Sequence, residues 1–236
     1  MDKNRNAKRK AADTAHECEN TSATDTNAEG SSAARGMRVT IFEKPPEDGP
    51  LSKTIKLDAN GKPVSDGSAC RMWRGTARSV EVRDRREFSA VIGGLSSQQA
   101  IALGSFKAGV GSTDGSPVPV VTKRDLTRAG TPKDAIARTK DHFDFPAGAA
   151  GVLPLDHDRK GMPSGVAGKL DAAGGLWAAI VGVAPGLARA ARVERDSTSA
   201  GLFNAQTGER YPASGGRHVY LEVQDVADIP RARRAA

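Results

Sequence analysis

From residue 37 onward short apolar runs alternate with polar breaks that carry glycine or proline, and the spacing of the runs predicts the elements. Val39-Thr40-Ile41-Phe42 reads as a strand, cut off by Pro45-Pro46. Lys53-Thr54-Ile55-Lys56-Leu57 alternates and ends at the turn signal Asp58-Ala59-Asn60-Gly61, which predicts a hairpin with the first strand. Val80-Glu81-Val82 is another short strand. Ser96 and Gln99 have capping-box spacing and predict a short helix over 100–103. Val118 to Val121 is apolar with Pro119 inside, an edge strand, because proline has no N–H to give a ladder. Thr131-Pro132 supplies an N-cap and a proline at the first helical position, which predicts a helix through Ile136 to about His142.

The second half is more regular. Val152-Leu153-Pro154-Leu155-Asp156-His157-Asp158 predicts a strand running out of the core into two carboxylates. Pro163 opens a helical stretch with Val166 and Leu170, Gly174-Gly175 interrupts it, and 176–181 resumes it before Pro185. Trp177 is expected in the core. A final strand over 219–223 is entered through Ser214-Gly215-Gly216. No repeat is visible, and the mixture of unalternated strands and helices predicts an α+β fold.

Composition adds bounds. A chain of 236 residues has room for one large or two small domains. Residues 1–36 contain no Val, Ile, Leu, Phe, Trp or Tyr and are expected to be a disordered tail, with Met37 a candidate initiator. That tail carries six basic and six acidic residues, so the net charge of +7 falls on 37–236. Its Lys8-Arg9-Lys10 cluster reads as a solvated surface. A basic balance suggests a polyanionic partner without fixing fold or activity. No apolar run nears the ~20 residues a bilayer requires, and no signal-type h-region is present, which excludes a membrane-embedded class. Cys18 and Cys70 lie far apart with no C-x-x-C companion, which excludes a disulfide scaffold and a cysteine zinc site and fits a cytoplasmic location. The glycines from Gly104 to Gly115 lack phosphate-loop spacing and read as a loop.

Two segments can carry chemistry. Strand residues two apart share a face, so Asp156 and Asp158 are expected to point together, with His157 opposite. Two aligned carboxylates repel one another and favour a divalent cation, and hard oxygen donors suit Mg²⁺ or Mn²⁺. An Asp-x-Asp pair also begins many solvated turns, so both readings stand. In Ser214-Gly215-Gly216-Arg217-His218 the glycines permit a tight turn and close backbone approach. His218 would share a face with Tyr220 and Glu222, opposite Val219, Leu221 and Val223. A histidine there can donate to phosphate oxygens or can simply root a hairpin.

In that order, Leu155-Asp156-His157-Asp158 followed by Ser214-Gly215-Gly216-Arg217-His218-Val219-Tyr220-Leu221 resembles the archaeo-eukaryotic primase superfamily. It is most similar to the primase–polymerase modules of plasmids, phages and integrated elements. The resemblance covers roughly 118–230. It implies template-directed nucleotidyl transfer, with nucleoside triphosphates and single-stranded DNA as partners and a fused or separate helicase alongside. Asp156 and Asp158 would hold Mg²⁺ or Mn²⁺, His218 would bind the triphosphate, and Ser214, Gly215, Gly216 and Arg217 would shape its pocket. Lys123, Arg124, Arg128, Lys133 and Lys140 could track the template backbone. It also implies a smaller αβ module over 37–130 and an RRM-like antiparallel sheet with packed helices over 131–236.

Three departures qualify the match. His157 stands at a usually apolar position, and Pro154 is unexpected in a strand paired on both sides. The family's third acidic residue lies on a later strand, whereas this chain ends 18 residues beyond His218 and is expected to stop short of it. Glu222, Asp225 and Asp228 are candidate substitutes. Two alternatives therefore stand beside an active enzyme: a silent fragment that binds nucleotide or single-stranded nucleic acid, and a metal-dependent nucleotide-sugar transferase.

Overall fold

The computed structural model describes residues 36–111, 115–159, 161–197, 200, 202–204, 207–211 and 216–229. The tail expected over 1–36 therefore lies, but for Gly36, outside the described residues.

Strand β1 (Met37–Glu43) buries Met37, Val39, Thr40, Ile41 and Phe42, the signature of a strand covered on both faces. Pro45-Pro46 ends it and turns the chain outward into a hairpin of β2 (Thr54–Leu57) and β3 (Pro63–Asp66). Here the expected pairing of 53–57 with the first strand is corrected. The Asp58 carboxylate accepts from the N–H groups of Asn60 and Lys62, so the turn folds β2 onto the residues after it. Both edges of β1 are taken by other strands: β4 (Gly75–Val82) and, after helix α1 (Arg85–Gly93), β5 (Gln99–Ala102).

The expected helix over 100–103 is that strand β5. Gln99 does accept from the Ser96 N–H through its side chain (3.1 Å), but the apolar run behind it is too short to bury a helical face. Ile101 pairs in register with Ile41 instead. Then come β6 (Ser105–Phe106) and β7 (Val118–Val120), the latter at the sheet edge, as Pro119 predicts. The first sheet runs β5-β1-β4-β7.

The helix expected over 131–142 is also absent. Ala135, Ile136 and Ala137 are buried consecutively, which one helical face cannot do, and Ile136 forms a parallel bridge to Val120. The Thr131 hydroxyl donates back to the Asp125 carbonyl rather than capping residues 132–134. A short β8 (Phe143–Asp144) pairs with β6.

Strand β9 (Gly151–His157) leads to α2 (Ser164–Ala172) and α3 (Leu176–Val183), which come after Pro163 as expected and meet at 80°. Gly174 and Gly175, at φ of +89° and +102°, make that corner, a conformation that costs other residues strain. Strands β10 (Arg192–Asp196) and β11 (Arg217–Val223) complete an antiparallel sheet of order β10-β11-β9. Pro154 sits in β9 at the edge of this sheet, where its missing N–H is tolerated.

The fold is α+β. One apolar cluster joins Met37, Val39, Val82, Phe88 and Ile92 to Val152, with Val193 and Tyr220 packed against it, so one face of the second sheet shares a core with the first sheet and α1. Its other face buries Leu153, Val219 and Leu221 under Leu176, Trp177, Val226 and Ile229. Trp177 is half-buried there, with the Arg192 guanidinium 4.0 Å from its ring centroid. Among the described residues no single helix is long and apolar enough to cross a membrane.

Candidate functional site

Register decides which side chains meet on the second sheet. Because β11 pairs antiparallel with both neighbours, Asp156 of β9, His218 of β11 and Arg195 of β10 form one transverse row. Directly paired residues share a face, so the row lies on the face of Pro154, Tyr220 and Val193, beyond the shared core. His218 Nε2 lies 3.3 Å from Asp156 Oδ1, and the Asp156 side chain is 76% exposed, leaving it open to solutes. The imidazole edge-packs on Tyr220, with centroids 6.3 Å apart.

Sequence patterns single out neither Arg195 nor its strand. Its guanidinium donates to the Ile92 carbonyl at 2.6 Å, tying the end of α1 to this face. The only signal in the sequence is the Arg-Val-Glu-Arg alternation of 192–195. Tyr220 is largely buried beneath the row. Burial raises its phenol above the ordinary tyrosine value, with Asp156 adding to the rise and Arg195 opposing it.

Other expected members lie elsewhere. Arg217 pairs with His157 in register and so occupies the opposite face, where it meets Glu194 (3.4 Å) and Asp196 (3.6 Å). It does not join the His218 row. Asp158 is exposed one residue past the end of β9, so ladder pairing does not enforce its alignment with Asp156. Gly216 is buried against Ser197. A Cβ there would lie 2.6 Å from the Ser197 hydroxyl oxygen, so a larger residue would have to displace that side chain. Ser214 and Gly215 lie outside the described residues. Glu222 shares the His218 face but pairs with Val152, four residues along the strand from Asp156. The Asp225 carboxylate accepts from the Ala227 N–H, capping a short 3-10 turn over 226–228. The C-terminal residues 230–236 lie outside the described residues.

The five proposed template cations lie between β7 and β8, not on this sheet. Lys123 contacts Asp141 at 3.4 Å, and Arg124 and Arg128 both approach Asp125, at 3.8 and 3.9 Å. Lys133 and Lys140 are exposed.

Two carboxylates at a strand end fit the donor set with which Mg²⁺ or Mn²⁺ binds when substrate phosphates and water complete the shell. Among the described residues no group of three or more His, Cys, Asp or Glu is placed to hold a metal by itself. Comparison of the chain with protein-family models, with curated proteins and with solved structures gives no match.

Proposed function

We propose that the chain carries a nucleotidyltransferase site of the primase–polymerase kind, acting on nucleoside triphosphates in replication of a plasmid, phage or integrated element. One observation carries the reading. Two motifs far apart in sequence, Asp-x-Asp and the glycine-led histidine, sit on paired strands with Asp156 and His218 in direct register. A chance surface aspartate and a chance hairpin histidine would not need to coincide.

Asp156 and Asp158 would hold Mg²⁺ or Mn²⁺, which when bound supplies charge neutralisation for the phosphates and activates a 3′-hydroxyl. His218 and Arg195 donate to phosphate oxygens and fix the triphosphate along the row. Gly216 keeps the backbone low at its edge. Phosphoryl-type transfer depends mostly on such positioning and charge neutralisation, so few side chains are required.

The test supplies primed and unprimed single-stranded DNA, Mn²⁺ and labelled nucleotides. Wild type should extend or initiate strands, and Asp156→Ala and Asp158→Ala should each abolish the product. Synthesis that survives both substitutions would overturn the assignment. A second reading, nucleotide binding without turnover, is favoured by the lack of a third acidic ligand near the pair among the described residues. It predicts nucleotide affinity that falls in His218→Ala, with no product from wild type under any metal.

A further inference from the structure

A groove of about 720 Å³ lies apart from the Asp156–His218 row, none of which lines it. Its wall is β5, and around it stand Phe42, Phe143, Phe145, Lys107, Arg138 and Lys140. Phe143, in β8, and Phe145, one residue past its end, both line the groove. Phe143 is braced by Phe42 and Phe106, with ring centroids 5.6 and 5.4 Å away. Phe145 remains 39% exposed, with its ring edge beside Gly104. The Arg138 guanidinium lies 5.9 Å from the Phe42 ring centroid and donates to the Met72 carbonyl at 3.3 Å. Against three cations the lining holds one acid, Asp144.

An exposed ring beside a part-buried one braced from behind, with cations around both, suits a ligand that alternates flat faces with negative charge. We propose that this groove binds single-stranded nucleic acid, with bases stacked on Phe143 and Phe145 and phosphates held by Lys107, Arg138 and Lys140. Phe42 is buried and only backs the groove, but the rings of Phe143 and Phe145 with three cations still exceed what one base and one phosphate can occupy, which favours a strand over a free nucleotide. Lys140 is the one cation of the basic segment between β7 and β8 that both lines the groove and was expected on the template path; Lys123, Arg124 and Arg128 are turned to acids. Stacking and phosphate contacts carry little base preference, so binding should tolerate any sequence.

The experiment titrates the full chain into fluorescein-labelled oligo(dT) of about ten nucleotides, within the span such grooves cover. It is done in EDTA, so that it is independent of the metal site and of any transfer activity. Phe145→Ala should weaken binding about tenfold. Lys140→Glu and Lys107→Ala should weaken it too, and Lys107→Ala should flatten the salt dependence by about 0.7 in log–log slope, one phosphate contact. Lys169→Ala, on α2, should change nothing. Ultraviolet cross-linking should place the strand on the peptide containing Phe143 and Phe145. No binding by wild type, equal affinity for mononucleotide and strand, or unaltered affinity in Lys140→Glu, an exposed position that folding does not need, would each overturn the proposal.

Discussion

Tyr220 lies where the core gives way to the candidate site. Its ring meets Phe88 edge-on at 5.4 Å between centroids, while on the sheet it neighbours His218. Because burial raises its ionisation above the usual value of 10.0, the folded chain holds the phenol proton more tightly than the unfolded chain does. The stability this confers is complete below the unfolded value and is lost as pH climbs through the raised folded one. Urea midpoints measured from neutral to strongly alkaline pH should therefore fall more steeply for wild type than for Tyr220→Phe, which keeps the ring and removes the proton. Parallel curves would show that the phenol is not held back from ionising. The same row shows what residue-level sequence patterns can and cannot reveal. Alternation alone places His218 with Tyr220 and Glu222, and register agrees. By the same alternation Arg217 has to leave that face, yet its closeness in sequence to His218 suggests a shared pocket. Arg195 enters only through strand pairing, which a single sequence does not display.

At the scale of elements, two capping signals of equal spacing have opposite outcomes. Asp84 accepts from the N–H groups of Arg86 and Glu87, and the Glu87 carboxylate accepts from the Arg83 N–H, so α1 opens on a reciprocal Asp-x-x-Glu arrangement. Phe88 and Ile92 come next at helical spacing and are its buried face. That signal is present in the sequence but is overshadowed by the equally spaced Ser96 and Gln99, whose local bond forms without a helix behind it. The difference lies in the length of apolar chain beyond each cap. Nine helical residues can bury a stripe, whereas four apolar ones next to an open strand edge are drawn into the ladder. The backbone N–H of Glu87 holds the Asp84 carboxyl below its usual range. Its contribution is thus present at neutral pH and disappears as pH falls through that lowered value. Asp84→Ala should lower the urea midpoint at pH 7 by the modest amount typical of a lost N-cap, and Asp84→Asn should restore most of it. An Asn variant as unstable as the Ala variant would mean that the charge, not the cap hydrogen bonds, stabilises α1.

Over the whole molecule the decisive feature is that the row-bearing sheet has no private core on its site face. Val152, Val193 and Tyr220 pack onto Phe88, Ile92, Val39 and Met37, and Arg195 reaches across to the end of α1. The geometry of Asp156 and His218 is therefore held partly by residues far earlier in the chain. Truncating Phe88, which is 1% exposed, removes a large ring from this shared cluster and should cost about 3–5 kcal/mol. If the two sheets unfold together, that loss must be felt on the far side of the second sheet, where Trp177 packs with Leu153 and Leu221. The chain has two tryptophans, so Trp73→Phe leaves Trp177 as the sole reporter. In that background Trp177 fluorescence and far-ultraviolet circular dichroism should give coincident urea transitions, and Phe88→Ala should shift both midpoints equally. A Trp177 transition that stays in place while the dichroism moves would separate the second sheet from the first. The Asp156–His218 row would then have to be stabilised by the α3 side alone, and variants in α1 would leave the proposed nucleotide binding unchanged.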